Sequence, residues 1–172
     1  MKKIALAIIL ALPIVSGIAS AQENLDLVEA RQRLARDWQR LNTKVLDMAR
    51  EFPDELLDYR PHPDSRSFMQ EVRHVASGVK RVALMMKGER PGPMNFLGEM
   101  SREEVVQFFE QALEESTVLL EKKFNPQVIS VLEHMAEHYG KLVGHYRNNN
   151  LVPPHTRKQQ EERRKREQDN KD

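Results

Sequence analysis

The segment His134-Met135-Ala136-Glu137-His138 places two imidazoles at positions i and i+4. On a helix such side chains project about 40° apart on one side, close enough to share one ion. Imidazole nitrogens hold a divalent metal at about 2.0–2.1 Å, which this spacing allows. Two surface histidines on a solvated helix face are the plainer reading of the same pair. A third imidazole, His74, lies within the valine-rich run from Val72 to Val82. Measured from the apolar stripe of its segment, His74 lies roughly 120° off and the other two roughly 80–120° off, on the same rotational side. Such flank positions converge where two helices meet at a cleft, or else face solvent. Convergence would give three nitrogens with open positions, the pattern of a reactive rather than a closed structural centre. Such a donor set suits Zn, Ni, Fe or Cu.

The other candidates read differently. His145 shares the face of His138 two turns on, but about 10 Å of rise separates them, which is too far for shared coordination. His62 and His155 stand beside prolines and read as surface imidazoles. Glu133 and Glu137 read as solvent-face residues. Glu71, one turn before His74, is the carboxylate best placed to support a ligand or act as a base. Met85, Met86, Met94 and Met100 read as gap-fillers rather than soft ligands. The chain has no cysteine, so a thiol nucleophile, a Cys-based zinc site and disulfides are all excluded.

The elements that must position these groups are helical, because apolar residues recur at 3–4 spacing and no strand-like alternation is sustained. A first helix is expected from about Leu25 to Glu51, with Leu27, Leu34, Trp38, Leu41, Val45 and Met48 as its stripe. Asp54 to Leu57 reads as a short turn. A second helix has Ser67 and Gln70 as a capping box and stops at Gly88. A third opens on Ser101 and Glu104 and runs to about Lys122. A fourth starts with Asn125 as N-cap and Pro126 at N1, and ends at Asn148-Asn149-Asn150. The sum is an all-α chain, a four-helix bundle over residues 22–156. The segment after Thr156 has no apolar residue and reads as a disordered charged tail or a frayed helix over 157–172.

Residues 1–21 follow the signal-peptide pattern: Lys2 and Lys3, an apolar run from Ile4 to Val15, and Ala19-Ser20-Ala21 before polar Gln22. They are too short and wrongly flanked for a membrane span, so no stable span is expected after cleavage. Losing Lys2 and Lys3 from 27 basic residues leaves a near-neutral product against 26 acidic ones. The expected location is the periplasm or outside the cell. The charge balance and the 6 % aromatic content give no nucleic-acid surface. Apolar surface left by the stripes would allow a homodimer.

Motifs spread over most of the chain carry a resemblance. They are Trp38-x-x-Leu41, Tyr59-Arg60-Pro61, Ser65-Arg66-Ser67-Phe68, Val72-Arg73-His74-Val75-Ala76 and His134-Met-Ala-Glu-His138-Tyr-Gly. Arg147-Asn148-Asn149 and Leu151-Val152-Pro153-Pro154 follow. In this order they resemble the DinB/YfiT-like superfamily of metal-binding four-helix bundles. The resemblance implies that His74, His134 and His138 form a metal triad and that the helices run up-down-down-up. It also implies a divalent cofactor such as Zn, Ni or Fe and thiol-type transfer on a small-molecule substrate, while metal-assisted hydrolysis is a second chemistry that such a centre allows. A non-catalytic metal- or ligand-binding envelope protein, or a plain helical interaction module, are the competing readings. The chain departs from the family pattern at Lys141, where a neutral Gln is usual. It departs also at His145, where Tyr is common, and at Asn150, where Gly is common.

Overall fold

The computed structural model describes residues 12–170, with side chains from Leu25 onward. It contains five α-helices: α1 (Leu12–Glu51), α2 (Phe68–Lys87), α3 (Arg102–Lys122), α4 (Gln127–Asn148) and α5 (Pro154–Asp169). Short 3-10 turns cover Asp54–Leu56 and Asn95–Gly98. The described residues include no strand. None of their helices is long and apolar enough to cross a membrane.

Local chemistry sets the boundaries. The Ser67 hydroxyl accepts from the Gln70 backbone N–H while the Gln70 side chain accepts from the Ser67 backbone, and Ser101 and Glu104 repeat the arrangement at α3. Each box satisfies two of the donors that a helix start leaves free. Gly88 ends α2 with φ 79°, a left-handed stop that glycine adopts without strain. Asn150 makes a similar stop with φ 57°. At the start of α4, Asn125 Oδ1 accepts from Gln127 N at 3.0 Å, so Asn125 acts as the cap although the helix is counted from Gln127.

One apolar core joins α1, α2, α3 and α4. Helices α3 and α4 each pack against both α1 and α2. Trp38, Val45, Phe68, Val72, Val75, Val79, Phe109 and Leu142 are fully buried. Polar atoms carried inward find partners: Trp38 Nε1 donates to Ser116 Oγ at 2.9 Å, and Tyr146 OH donates to Met48 O at 3.0 Å. Phe52 stacks on Phe68 with centroids 3.7 Å apart.

Two expectations need correction. The first helix begins at Leu12 rather than near Leu25, running through the second part of the expected signal peptide, whose residues 1–11 lie outside the described residues. Leu27, expected in the core, is 48 % exposed. The reason is overshoot: Arg31 reaches the last carbonyl of α3 at Lys122 (3.1 Å), so Leu27, one turn earlier on α1, lies beyond the end of that helix. The charged segment after Thr156, expected as a disordered tail or a frayed helix, lies in the helix α5. None of its residues is buried, and Pro154 takes the first-turn position where proline costs no hydrogen bond.

Candidate metal centre

His74 comes from the second turn of α2, and His134 and His138 from successive turns of α4. The contact between α2 and α4 brings them together. One ligand nitrogen from each lies within 4.8 Å of the other two. His134 Nε2 and His138 Nε2 face each other at 2.9 Å. The His74 ring lies 4.4 Å from the His138 ring and 5.8 Å from the His134 ring, between centroids. Donors about 2.1 Å from one ion must lie within about 4 Å of each other. The His134–His138 pair meets that condition, and His74 needs at most about an ångström of closure.

The supporting contacts favour lone pairs aimed at the centre. His138 is buried, and its Nδ1 donates to Glu71 Oε1 at 2.5 Å. Burial would raise the Glu71 carboxyl, but the His138 hydrogen bond and the cations of Lys141 and Arg66 outweigh it and hold the group below the usual carboxylate range. Lys141 Nζ is 4.0 Å from Glu71 Oε1, and Arg66 is 3.5 Å from Oε2. An ionised Glu71 fixes the proton of His138 on Nδ1 and so leaves a lone pair on Nε2. Without an ion, the 2.9 Å contact then requires His134 to donate from its Nε2. With an ion that proton leaves and both nitrogens become donors to the metal. The residues present therefore fit a divalent cation.

His74 is held neutral. Burial, then the Arg66 and His138 charges, lowers its pKa to about 4 from an ordinary 6.5. Burial lowers that of His145 as well. In the metal-free protein, the unfolded chain therefore takes up protons between about pH 6.5 and 4 that the folded state refuses, so stability falls as pH drops through that window. Glu71, ionised in the fold, acts in the same direction at the acid end. Thermal midpoints measured in chelator at pH 7, 5.5 and 4.5 should fall steadily, and His74→Gln should flatten the profile. A wild-type profile as flat as the variant's would contradict the assignment.

The remaining candidates are placed as follows. Glu71 is the residue that supports His138. Glu133 and Glu137 face solvent, and Glu137 is 3.7 Å from His134 Nδ1, too far for a hydrogen bond. His62 is exposed. His145 is buried with its Nδ1 unpartnered, packed edge-on against Phe68 and Tyr59, and is not in the triad. Spacing places His145 on a helix face and does not reveal its apolar burial. Arg66 was missed, because it precedes α2 and reaches Glu71 only by the fold of the loop.

Two hollows flank His74. One, about 550 Å³, is bounded by His74, His134 and an apolar wall that includes Val82, Met85, Val131 and Met135. The other, about 390 Å³, is bounded by Arg73, His74, Arg81 and Leu97. A larger hollow of about 880 Å³ between α1 and α5 contains none of the triad, so volume alone does not locate the site.

No curated protein matches the chain. The model of the DinB superfamily matches residues 26–142, a span that includes the three histidines and Glu71 and stops before His145 and the Arg147–Pro154 stretch. With that match over more than half of its 172 residues, and an all-helical fold that gathers the three histidines, the chain belongs to the DinB superfamily.

Proposed function

We propose that the chain binds one divalent metal ion through His74, His134 and His138 and uses it in hydrolytic or thiol-type transfer chemistry on a small molecule. The observation that carries the metal reading is the 2.9 Å approach of two imidazole nitrogens whose tautomer is fixed by a buried carboxylate. A divalent ion there would supply Lewis-acid polarisation of a bound group. Glu71 keeps the His138 proton on Nδ1, while Arg66 and Lys141 keep Glu71 ionised. His134, about half exposed, leaves one side open to an incoming molecule, with an apolar wall beside it. Of the two chemistries, hydrolysis suits an exported protein better, since cytosolic thiol cofactors are out of reach there.

A non-catalytic binder is the second reading, and one observation favours it. Glu71 is the only buried acid among the described residues, and it is committed to His138, so no second buried carboxylate stands ready as a base. The decisive experiment removes metal with chelator, titrates Zn, Ni and Fe(II) by calorimetry, and screens the loaded protein on esters, amides and thiol adducts. One ion per chain with turnover supports the enzyme, and one ion without turnover supports the binder. No binding of any ion sinks both.

The proposal includes export and the up-down-down-up helix order. The order is supported by the contacts of α3 and α4 with both α1 and α2. Export rests on the leader pattern of residues 1–21. Intact-mass measurement of the protein from an envelope fraction should give Gln22 as its first residue, and a retained Met1 would contradict cleavage.

A further inference from the structure

We propose that the hollow running from the histidines along α2 and α4 binds an elongated, apolar carboxylate, with Arg81 holding its charged end. As a substrate assignment this rests on the metal reading above, but as a binding site it stands on the groove itself.

The register of α2 sets the length. Arg81 follows His74 by seven residues, which puts it on nearly the same face about 10 Å further along. Both residues line both flanking hollows. Between and beyond them the wall is mainly apolar: Val82 and Met85 from α2, Val131 and Met135 from α4. Gly78 forms part of that floor. A Cβ there would meet Met135 Cε at 2.8 Å, so a larger residue would push the methionine end into the open space. A space of about 550 Å³ with such a wall accepts a hydrocarbon chain and gives few partners to a compact polar metabolite.

Charge selects the anion. Arg81 is exposed and makes no hydrogen bond or ion pair with any other described residue, unlike Lys80 and Lys87 of the same helix, which both pair with Glu115. At the far end Glu89 and Arg90 line the hollow with opposite signs. Arg81 thus offers an unpaired guanidinium seven residues from His74, nearer the histidines along α2 than Arg90, and a guanidinium fork suits a carboxylate. With the carboxylate there, the other end of the chain lies beside His74 and His134, where a bond to be cleaved would be presented.

The test is calorimetric titration of acetate, hexanoate, octanoate, decanoate and neutral 1-octanol, on metal-free and metal-loaded protein and on Arg81→Gln. Arg81 is exposed, so the variant should fold. Affinity should rise by up to about fourfold for each added methylene until the hollow is filled. Octanoate should bind about tenfold more tightly than 1-octanol in the wild type, the worth of a hydrogen bond to a charged group, and about equally in Arg81→Gln. The length dependence should already be present without metal, so failure to load metal would overturn the function and still leave this site decided. A flat series, or an octanoate advantage that survives Arg81→Gln, would overturn the site.

Discussion

Replacing His138 by Ala should abolish stoichiometric binding of a divalent ion, with affinity falling by more than about 100-fold. Groups that merely orient a ligand cost 10–100-fold when removed, and loss of a donor must cost more. The same change should destabilise the metal-free protein by about 3 kcal/mol, because Glu71 would keep its buried charge and lose its closest partner. Arg66 at 3.5 Å and Lys141 at 4.0 Å remain, but both reach in from solvent. His134→Ala separates the two effects. His134 is about half exposed and gives up only its hydrogen bond to His138 Nε2, so its loss should cost metal affinity and about 1 kcal/mol of stability, well below the cost at His138. Chelator-stripped samples of both variants, measured by denaturant titration and by metal calorimetry, decide the matter. If His138→Ala binds an ion as tightly as the wild type does, the triad is wrong.

The contrast between these two histidines also marks what the sequence could and could not reveal. Their i, i+4 spacing put both on one side of α4, and the capping signals at Ser67, Ser101 and Asn125 placed the helices that hold them. The pattern could not say which of the two would be buried, because that depends on how deeply α2 and α4 press together around Gly78 and Met135. Convergence of His74 on the pair was likewise open, since a flank position serves a cleft or solvent equally well. Leu27 failed for a related reason: periodicity reports an apolar face but not where the partner helix stops. Arg66 had no periodic signal at all, and Lys141 was visible only as an odd residue near the pair. Its meaning came from the 4.0 Å distance to Glu71.

That distance leads to the second large effect. Glu71→Gln keeps the shape and one acceptor oxygen but removes the charge that His138 Nδ1–H points to. The imidazole then becomes a weaker donor, because a carboxylate partner raises the basicity of the ligating nitrogen and a neutral amide does so much less. The new amide N–H₂ also sits in a buried position whose neighbours are the cations of Arg66 and Lys141, so it finds no acceptor there. Metal affinity should fall by about 10–100-fold, with His74, His134 and His138 all intact. Lys141→Gln should act in the opposite direction and by less. It removes a positive charge beside Glu71 and lessens repulsion of the incoming dication, but Lys141 is more than half exposed and water screens its charge. A gain of about two- to threefold, fading as salt is raised, is expected. In the double variant the part of that gain that acts through Glu71 should vanish, while the part from lessened repulsion of the dication remains. Metal calorimetry on the four proteins, with cobalt spectra as a second readout of ligand strength, tests the coupling. An affinity in Glu71→Gln equal to that of the wild type would show that Glu71 serves the fold alone and plays no part in holding the ion.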